Sequence, residues 1–204
     1  PRVDVLSSMY EPKKTIYATV QFTDFVCPPG SASEQGIFSV QSLGLIKTAD
    51  ALGIVLRNFS DETLDEVLGK PDPGKDLLTL EGELLLSDQI QVEKRLSRME
   101  ADLARGKKTP QLLSEEKLLK TIFQALEEGK PVREISLNPE DKKGITGFAF
   151  LTAKPLFIIL NSDEKRYGKN RDLIEALAGK YQVLEFAGTF EMELSKLSSE
   201  DAAL

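Results

Sequence analysis

The sequence predicts an α/β protein: a mostly parallel sheet layered with helices, interrupted by an inserted antiparallel helical hairpin. Three observations predict it. Pro155 to Leu160 form a continuous apolar run closed by Asn161, the pattern of a strand covered on both faces by helices. Before and after it, segments of strand composition alternate with segments of helical period, as in layered α/β folds. Between them, Leu78, Leu85, Val92 and Met99 recur every seven residues, with Leu96 and Leu103 in the interleaved register, which is a coiled-coil seam.

The elements follow in order. Val3 to Tyr10 read as a short helix with Val3, Leu6 and Tyr10 on one face, ended by Glu11-Pro12. From Thr15 to Phe25, Tyr17, Thr19, Gln21 and Thr23 alternate with Ile16, Ala18, Val20 and Phe22, which predicts a strand ending at Asp24. Cys27-Pro28-Pro29-Gly30 and the serines after it make a loop. Phe38 to Thr48 is helical, with Phe38, Leu45 and Ile46 inward, and Ala51 to Leu56 is a second buried strand. Residues 60–75, acidic and then rich in Pro and Gly, read as a loop.

The first hairpin helix stops at Gly106, beside Arg105, Lys107 and Lys108, cations suited to the negative end of a helix dipole. Thr109-Pro110 opens the second as cap and first residue. Leu112, Leu119 and Leu126, flanked by Ile122 and Phe123, carry its seam to Gly129 and Pro131. Such a pair is either packed on the core or a projecting arm; the heptads and charged flanks favour the arm. Asn138-Pro139 then starts a short connector helix reaching Phe148, and the central strand follows. Asp172 to Lys180 is a helix, Tyr181 to Phe186 a strand, and a last helix runs from Glu191. Residues 1–75 and 132–204 thus form the α/β core, and 76–131 the inserted hairpin.

Composition narrows the chemistry. The 204 residues include no His, which excludes a Ser-His-Asp triad, a His zinc site and His general-base catalysis. One cysteine, Cys27, excludes an internal disulfide and suits a reducing cytoplasmic setting. A net charge of −7 argues against general binding to DNA. No apolar run has the length of a membrane span and no signal peptide is visible. The chain opens on Pro1 and closes on an acidic helix start, Ser198 to Leu204, so continuation in a parent protein is expected at both ends.

Asn161-Ser162-Asp163-Glu164 stand just beyond the central strand, where open α/β sheets bind ligands. An Asn amide and a carboxylate there can meet a purine edge. Taken locally, the same residues are ordinary material for a turn after a strand.

Several segments together resemble the YchF / Obg-like ATPase family of P-loop GTPase-like proteins. They are Pro12-Lys13-Lys14-Thr15 running to Asp24, Val55 to Phe59 before an acidic loop, and Glu83 to Asp88 with Val92 to Leu96 in the hairpin. Leu126 to Pro131, Leu151 to Pro155, Asn161 to Glu164 and Glu191 to Leu194 complete the series. The resemblance implies a P-loop NTPase-like, Ras-like G domain, incomplete at its N-terminus, with a coiled-coil arm. It implies binding of ATP or GTP with Mg²⁺ and a role at the ribosome or in translation. Asp24 falls on the Asp-x-x-Gly aspartate that holds Mg²⁺ indirectly. Asn161 and Glu164 fall on the base-reading Asn-x-x-Glu, with Ser162 in place of the Lys of Ras-like proteins. Ala187, Gly188 and Thr189 fall on a loop whose backbone touches the base. Because Glu is one methylene longer than Asp, guanine preference weakens and adenine is tolerated.

Departures from the family pattern set the limits of that expectation. No Gly-x-x-x-x-Gly-Lys-Ser/Thr loop occurs in the chain, and in this fold that loop belongs to a unit preceding residue 1. The family's C-terminal TGS domain is also missing. Cys27 stands where the family has the glycine of Asp-x-x-Gly, and Pro28 and Pro29 remove two backbone donors. Glu66 lies near the place of a common catalytic His. Slow hydrolysis is the expectation, and this chain alone is expected to be inactive. The alternative is a non-hydrolytic relative serving as a protein- or ribosome-interaction scaffold. Lys94, Arg95, Arg98, Arg105, Lys107 and Lys108 are candidate RNA-phosphate contacts or, equally, solvated helix charges.

Overall fold

The structure, a computed structural model, describes residues 2–25, 38, 40–198 and 201. Cys27, Pro28, Pro29, Ser31 and Ser33 lie outside the described residues. Three parallel strands in the order β1 (Leu52–Asn58), β2 (Leu156–Ser162) and β3 (Gln182–Phe186) form the sheet. Its register sets Arg57 opposite Asn161, and Asn161 opposite Phe186. Two long helices, α4 (Pro73–Ala104) and α5 (Pro110–Glu127), make the antiparallel pair between β1 and β2.

One face of the sheet is packed. Leu56, Ile158 and Leu160 are buried there against Leu77 of α4, with Leu173, Ile174 and Leu177 of α7 (Arg171–Ala178) beside them. The opposite face is open: Val55 is 59% exposed and Leu184 60%. The apolar run in β2 implies cover on both faces. In fact Ile158 and Leu160 are buried, whereas Phe157 and Ile159 on the alternate face are half-buried.

The predicted strand at Thr15 to Phe25 is not formed. Alternation makes a segment strand-competent, but the ladder needs a partner, and no backbone hydrogen bond joins these residues to another described residue. Ile16, Val20 and Phe22 stay 73–86% exposed. The segment is held instead by side chains on α1 (Arg2–Tyr10): Ser7 bonds Thr15, and the Tyr17 hydroxyl donates to Asp4. The apolar face of α1 is uncovered, with Val3, Leu6 and Tyr10 all exposed.

Residues 60–75 are not one loop. They contain α3 (Glu62–Leu68), capped by the Asp61 carboxylate accepting from Leu64 N–H at 3.0 Å. They also contain the first turn of α4, where Asp72 caps Lys75 N–H at 3.0 Å and Pro73 takes the first position. The acidic and Pro-rich composition therefore marks two helix starts.

Along α4 the seven-residue seam rotates. Val92 and Met99 are buried against Leu119, Ile122 and Leu126 of α5, but Leu78 is 72% exposed. Nearer the sheet, Leu77 and Leu84 turn inward instead, toward the β2 cluster and toward Ile46 and Leu151. A straight 3.6-residue helix drifts against a seven-residue repeat, so one helix serves two partners on adjacent faces. Ile46 of α2 (Val40–Thr48) is buried, but Leu45, expected inward, is half exposed.

The hairpin turn uses Gly106 at φ 83° and the Thr109 cap, whose hydroxyl accepts from Leu112 N–H at 3.2 Å. Arg95 and Glu115 bridge the two helices through two bonds of 2.8 Å. At the root, Val132, Ile145 of α6 (Pro139–Ile145) and Phe150 close the same core. Asp88, wholly buried on α4, accepts from Leu151 N–H at 2.9 Å, Thr152 N–H at 2.8 Å and Thr152 Oγ at 2.7 Å. It thereby fixes the 3₁₀ turn Leu151–Ala153 that feeds β2.

Candidate functional site

At the carboxyl ends of β2 and β3 two of the predicted residues, Asn161 and Gly188, come into contact. Asn161 is inside β2, not beyond it, since pairing with Arg57 and Phe186 extends the strand to Ser162. Its Oδ1 accepts from the Gly188 N–H at 3.1 Å. That bond joins the two segments the sequence singled out, the end of β2 and the start of the last helix, 27 residues apart in the chain. Because Oδ1 is engaged, the amide is oriented, and its NH₂ group donates to no described residue. Gly188 opens α8 (Gly188–Leu194), three residues earlier than predicted. A Cβ at Gly188 would sit 2.8 Å from Asn161 Oδ1, so a side chain there would displace the Asn161 amide from its bond to the Gly188 N–H. Ala187 is buried beneath it and Thr189 is exposed.

Ser162 points to the opposite face of the strand, as alternation demands. Its hydroxyl is buried, accepts from Asn58 Nδ2 at 2.9 Å and donates to Glu185 Oε1 at 2.7 Å. Glu164 stands exposed on the turn after β2. That turn is wound tightly: the amides of Arg166 and Tyr167 bond the Asp163 carbonyl at 3.1 and 2.8 Å, Arg166 N–H also bonds the Asp163 carboxylate, and Gly168 adopts φ 72°.

The other candidates lie elsewhere. Asp24 is exposed at the end of the extended segment, and Glu66 is exposed on α3. Among the described residues no group of three or more His, Cys, Asp or Glu side chains could hold a metal ion. Of the six basic candidates on the hairpin, Arg95 is tied to Glu115, and Lys107 to Asp102 at 3.0 Å; Lys94, Arg98, Arg105 and Lys108 are exposed. Among the described residues no helix is long and apolar enough to cross a membrane.

Composition and motif spacing did not reveal the residues that support the site: Asn58, Asn170, Glu185 and, at the arm root, Asp88. A signal was present in two cases. Period two puts Glu185 on the inward face with Val183, and a spacing of four puts Asp88 between Leu84 and Val92. A carboxylate on an inward face needs donors around it.

No family model matches the chain. Individual relatives do. Over 98% of its length the chain is 30% identical to the ribosome-binding ATPase YchF of Bacillus subtilis and 29% identical to that of Haemophilus ducreyi. Over 99% it is 30% identical to Obg-like ATPase 1 of Oryza sativa subsp. indica. Over nearly its whole length the chain is similar to members of the YchF / Obg-like ATPase family. It spans 56% of the length of the two bacterial relatives and 53% of the plant one. The fold agrees: the structure of the Schizosaccharomyces pombe YchF GTPase superposes with a TM-score of 0.72, covering 99% of this chain and 57% of that one, at 24% identity. The three-stranded parallel sheet and the α4–α5 pair are therefore a part of the YchF architecture.

Proposed function

We propose that this YchF-like chain is the base-reading part of a P-loop NTPase-like, Ras-like nucleotide-binding domain, in which the purine of ATP or GTP lies between Asn161 and the Ala187-Gly188-Thr189 loop. The observation that carries it is the 3.1 Å bond from Gly188 N–H to Asn161 Oδ1. It places an oriented amide and a backbone loop side by side at the strand ends, where such sheets take ligands. Glu164, exposed on the adjoining turn, accepts from the base edge. Ser162 acts from below, through the sheet.

Mg²⁺ would arrive with the nucleotide phosphates and touch Asp24 through water. A single exposed carboxylate suits that role, because Mg²⁺ keeps several waters and is held by one or two carboxylates with substrate oxygens. Bound there, it would neutralise charge developing on the phosphates. The parent protein is a slow ATPase or GTPase acting on the ribosome or a translation partner, with residues 76–131 as the arm that meets it. The names of the relatives support that placement.

Calorimetry on the intact protein with ATP·Mg²⁺ and with GTP·Mg²⁺ tests the pocket. The expected result is micromolar binding of at least one nucleotide, lost in Asn161→Ala. Absence of binding by both would remove the nucleotide reading and leave an interaction scaffold. Co-sedimentation with ribosomes after charge reversal at Arg105, Lys107 and Lys108 tests the arm; unchanged binding would exclude those three as RNA contacts.

A further inference from the structure

Glu185 is the centre of a polar knot on the packed side of β3. Its Oε1 accepts from Ser162 Oγ at 2.7 Å and from Asn170 Nδ2, and its Oε2 accepts from the Gly168 N–H at 3.2 Å. Asn58 Nδ2 completes the knot by donating to Ser162 at 2.9 Å, and Asn170 Nδ2 also reaches the Arg166 carbonyl at 2.7 Å. The three donors to Glu185 come from the end of β2 and from the far side of the turn that follows it. Between Ser162 and Gly168 stand the five residues from Asp163 to Tyr167. The turn is thus clamped at its start by Ser162 and at its finish by Gly168 and Asn170, while Glu164 remains exposed at its crest.

A carboxylate is needed at this position because the knot is made of donors. One oxygen takes a hydroxyl and an amide NH₂, and the other takes a backbone N–H. A neutral amide can satisfy the first pair but presents its own N–H to the Gly168 amide. An apolar residue would leave three donors facing a half-buried space.

We infer that Glu185 is the positioning residue for Glu164: it touches no base itself but holds the turn so that the Glu164 carboxylate meets the purine edge at a fixed distance and angle. The inference rests on the base-pocket reading above and adds to it the group that sets the geometry of recognition. Site groups whose supports are lost move by a fraction of an ångström and forfeit recognition although their own side chains are intact.

A double-mutant cycle on the intact protein tests it, with ATP·Mg²⁺ and GTP·Mg²⁺ as the calorimetric probes. Glu185→Ala weakens binding by about tenfold, and Glu185→Gln, which keeps one of the two acceptors, by less. In the Glu164→Ala background the same change at Glu185 costs less than about twofold, because there is no longer a reader to position. A general structural effect would persist in that background, so equal losses in both backgrounds overturn the inference, as does a Glu164→Ala variant that binds like the wild type. If Glu185→Ala fails to fold, the Glu185→Gln arm of the cycle decides by the same criterion. Amide exchange without nucleotide gives an independent reading: Gly168 should exchange about tenfold faster in Glu185→Gln, and unchanged protection would overturn the clamp. Wild-type protein that binds neither nucleotide would remove the base-pocket reading and this inference with it, which distinguishes that failure from a null cycle in a protein that binds.

Discussion

In an Asp88→Ala variant, the amides of Leu151 and Thr152 and the Thr152 hydroxyl would lose the carboxylate that now accepts from all three at 2.7–2.9 Å. The site is fully enclosed, so water does not replace the acceptor without local opening. A buried donor left unsatisfied costs about 1–3 kcal/mol. The Thr152 hydroxyl can rotate, although its oxygen stays engaged as acceptor for Val132 N–H at 3.1 Å; the two backbone amides cannot move without unwinding the turn into β2. Two amides at the lower half of that range, plus the lost packing of the side chain, give a loss of about 3 kcal/mol, a large part of the stability of a typical domain. Urea unfolding followed by circular dichroism, with an unchanged denaturant slope, measures it. A loss below about 1 kcal/mol would refute the reasoning, since it would mean that the turn finds other acceptors cheaply.

Burial pushes the Asp88 carboxyl above the ordinary aspartate value of 3.8, outweighing the bonds from Thr152 and Leu151 that favour the anion. The native state then holds the proton more tightly than the unfolded chain, so this contribution is complete below pH 3.8 and declines as pH rises through the native value. The stability gap between wild type and Asp88→Asn should narrow upward from pH 3.8; a widening gap would show that the hydrogen bonds outweigh burial. Lys154 donates to the carbonyls of Lys47 at 3.0 Å and Ala49 at 2.5 Å, at the end of α2, so Lys154→Met should cost about 1 kcal/mol in the same assay and loosen α2 in amide exchange. Met99→Ala should cost about 2–5 kcal/mol and Leu78→Ala less than about 0.5 kcal/mol, although both belong to one seven-residue register; equal losses would contradict the rotated seam. Gly188→Ala would force a Cβ to within 2.8 Å of Asn161 Oδ1, so nucleotide affinity should fall about tenfold or more with little change in the unfolding midpoint.

Elements with strong local signals are legible in the amino-acid sequence itself. The Gly106 and Thr109-Pro110 punctuation, the Asn138 cap and the α5 seam are decided by backbone chemistry within a few residues, and each is found where expected. The same holds for β2, whose apolar run needs no context to be recognised as a strand. Thr15 to Phe25 shows the limit. Alternation says that a segment is able to pair, but pairing belongs to two segments, and no described residue supplies the second. Leu78 and Leu84 show a related limit: spacing marks a helix and its apolar positions, but which of them face inward depends on where the sheet lies against α4.

The candidate site divides the same way. Asn161, Glu164 and the Ala187-Gly188-Thr189 loop follow from residue type, order and family resemblance, and the fold adds the 3.1 Å contact that makes neighbours of residues 27 positions apart. The roles of Ser162, Glu185, Asn170 and Asp88 come only from tertiary structure. A buried hydrogen bond is a property of two surfaces brought together: periodicity sets Glu185 and Asp88 on inward faces, but it does not name their donors, which arrive from elsewhere in the chain.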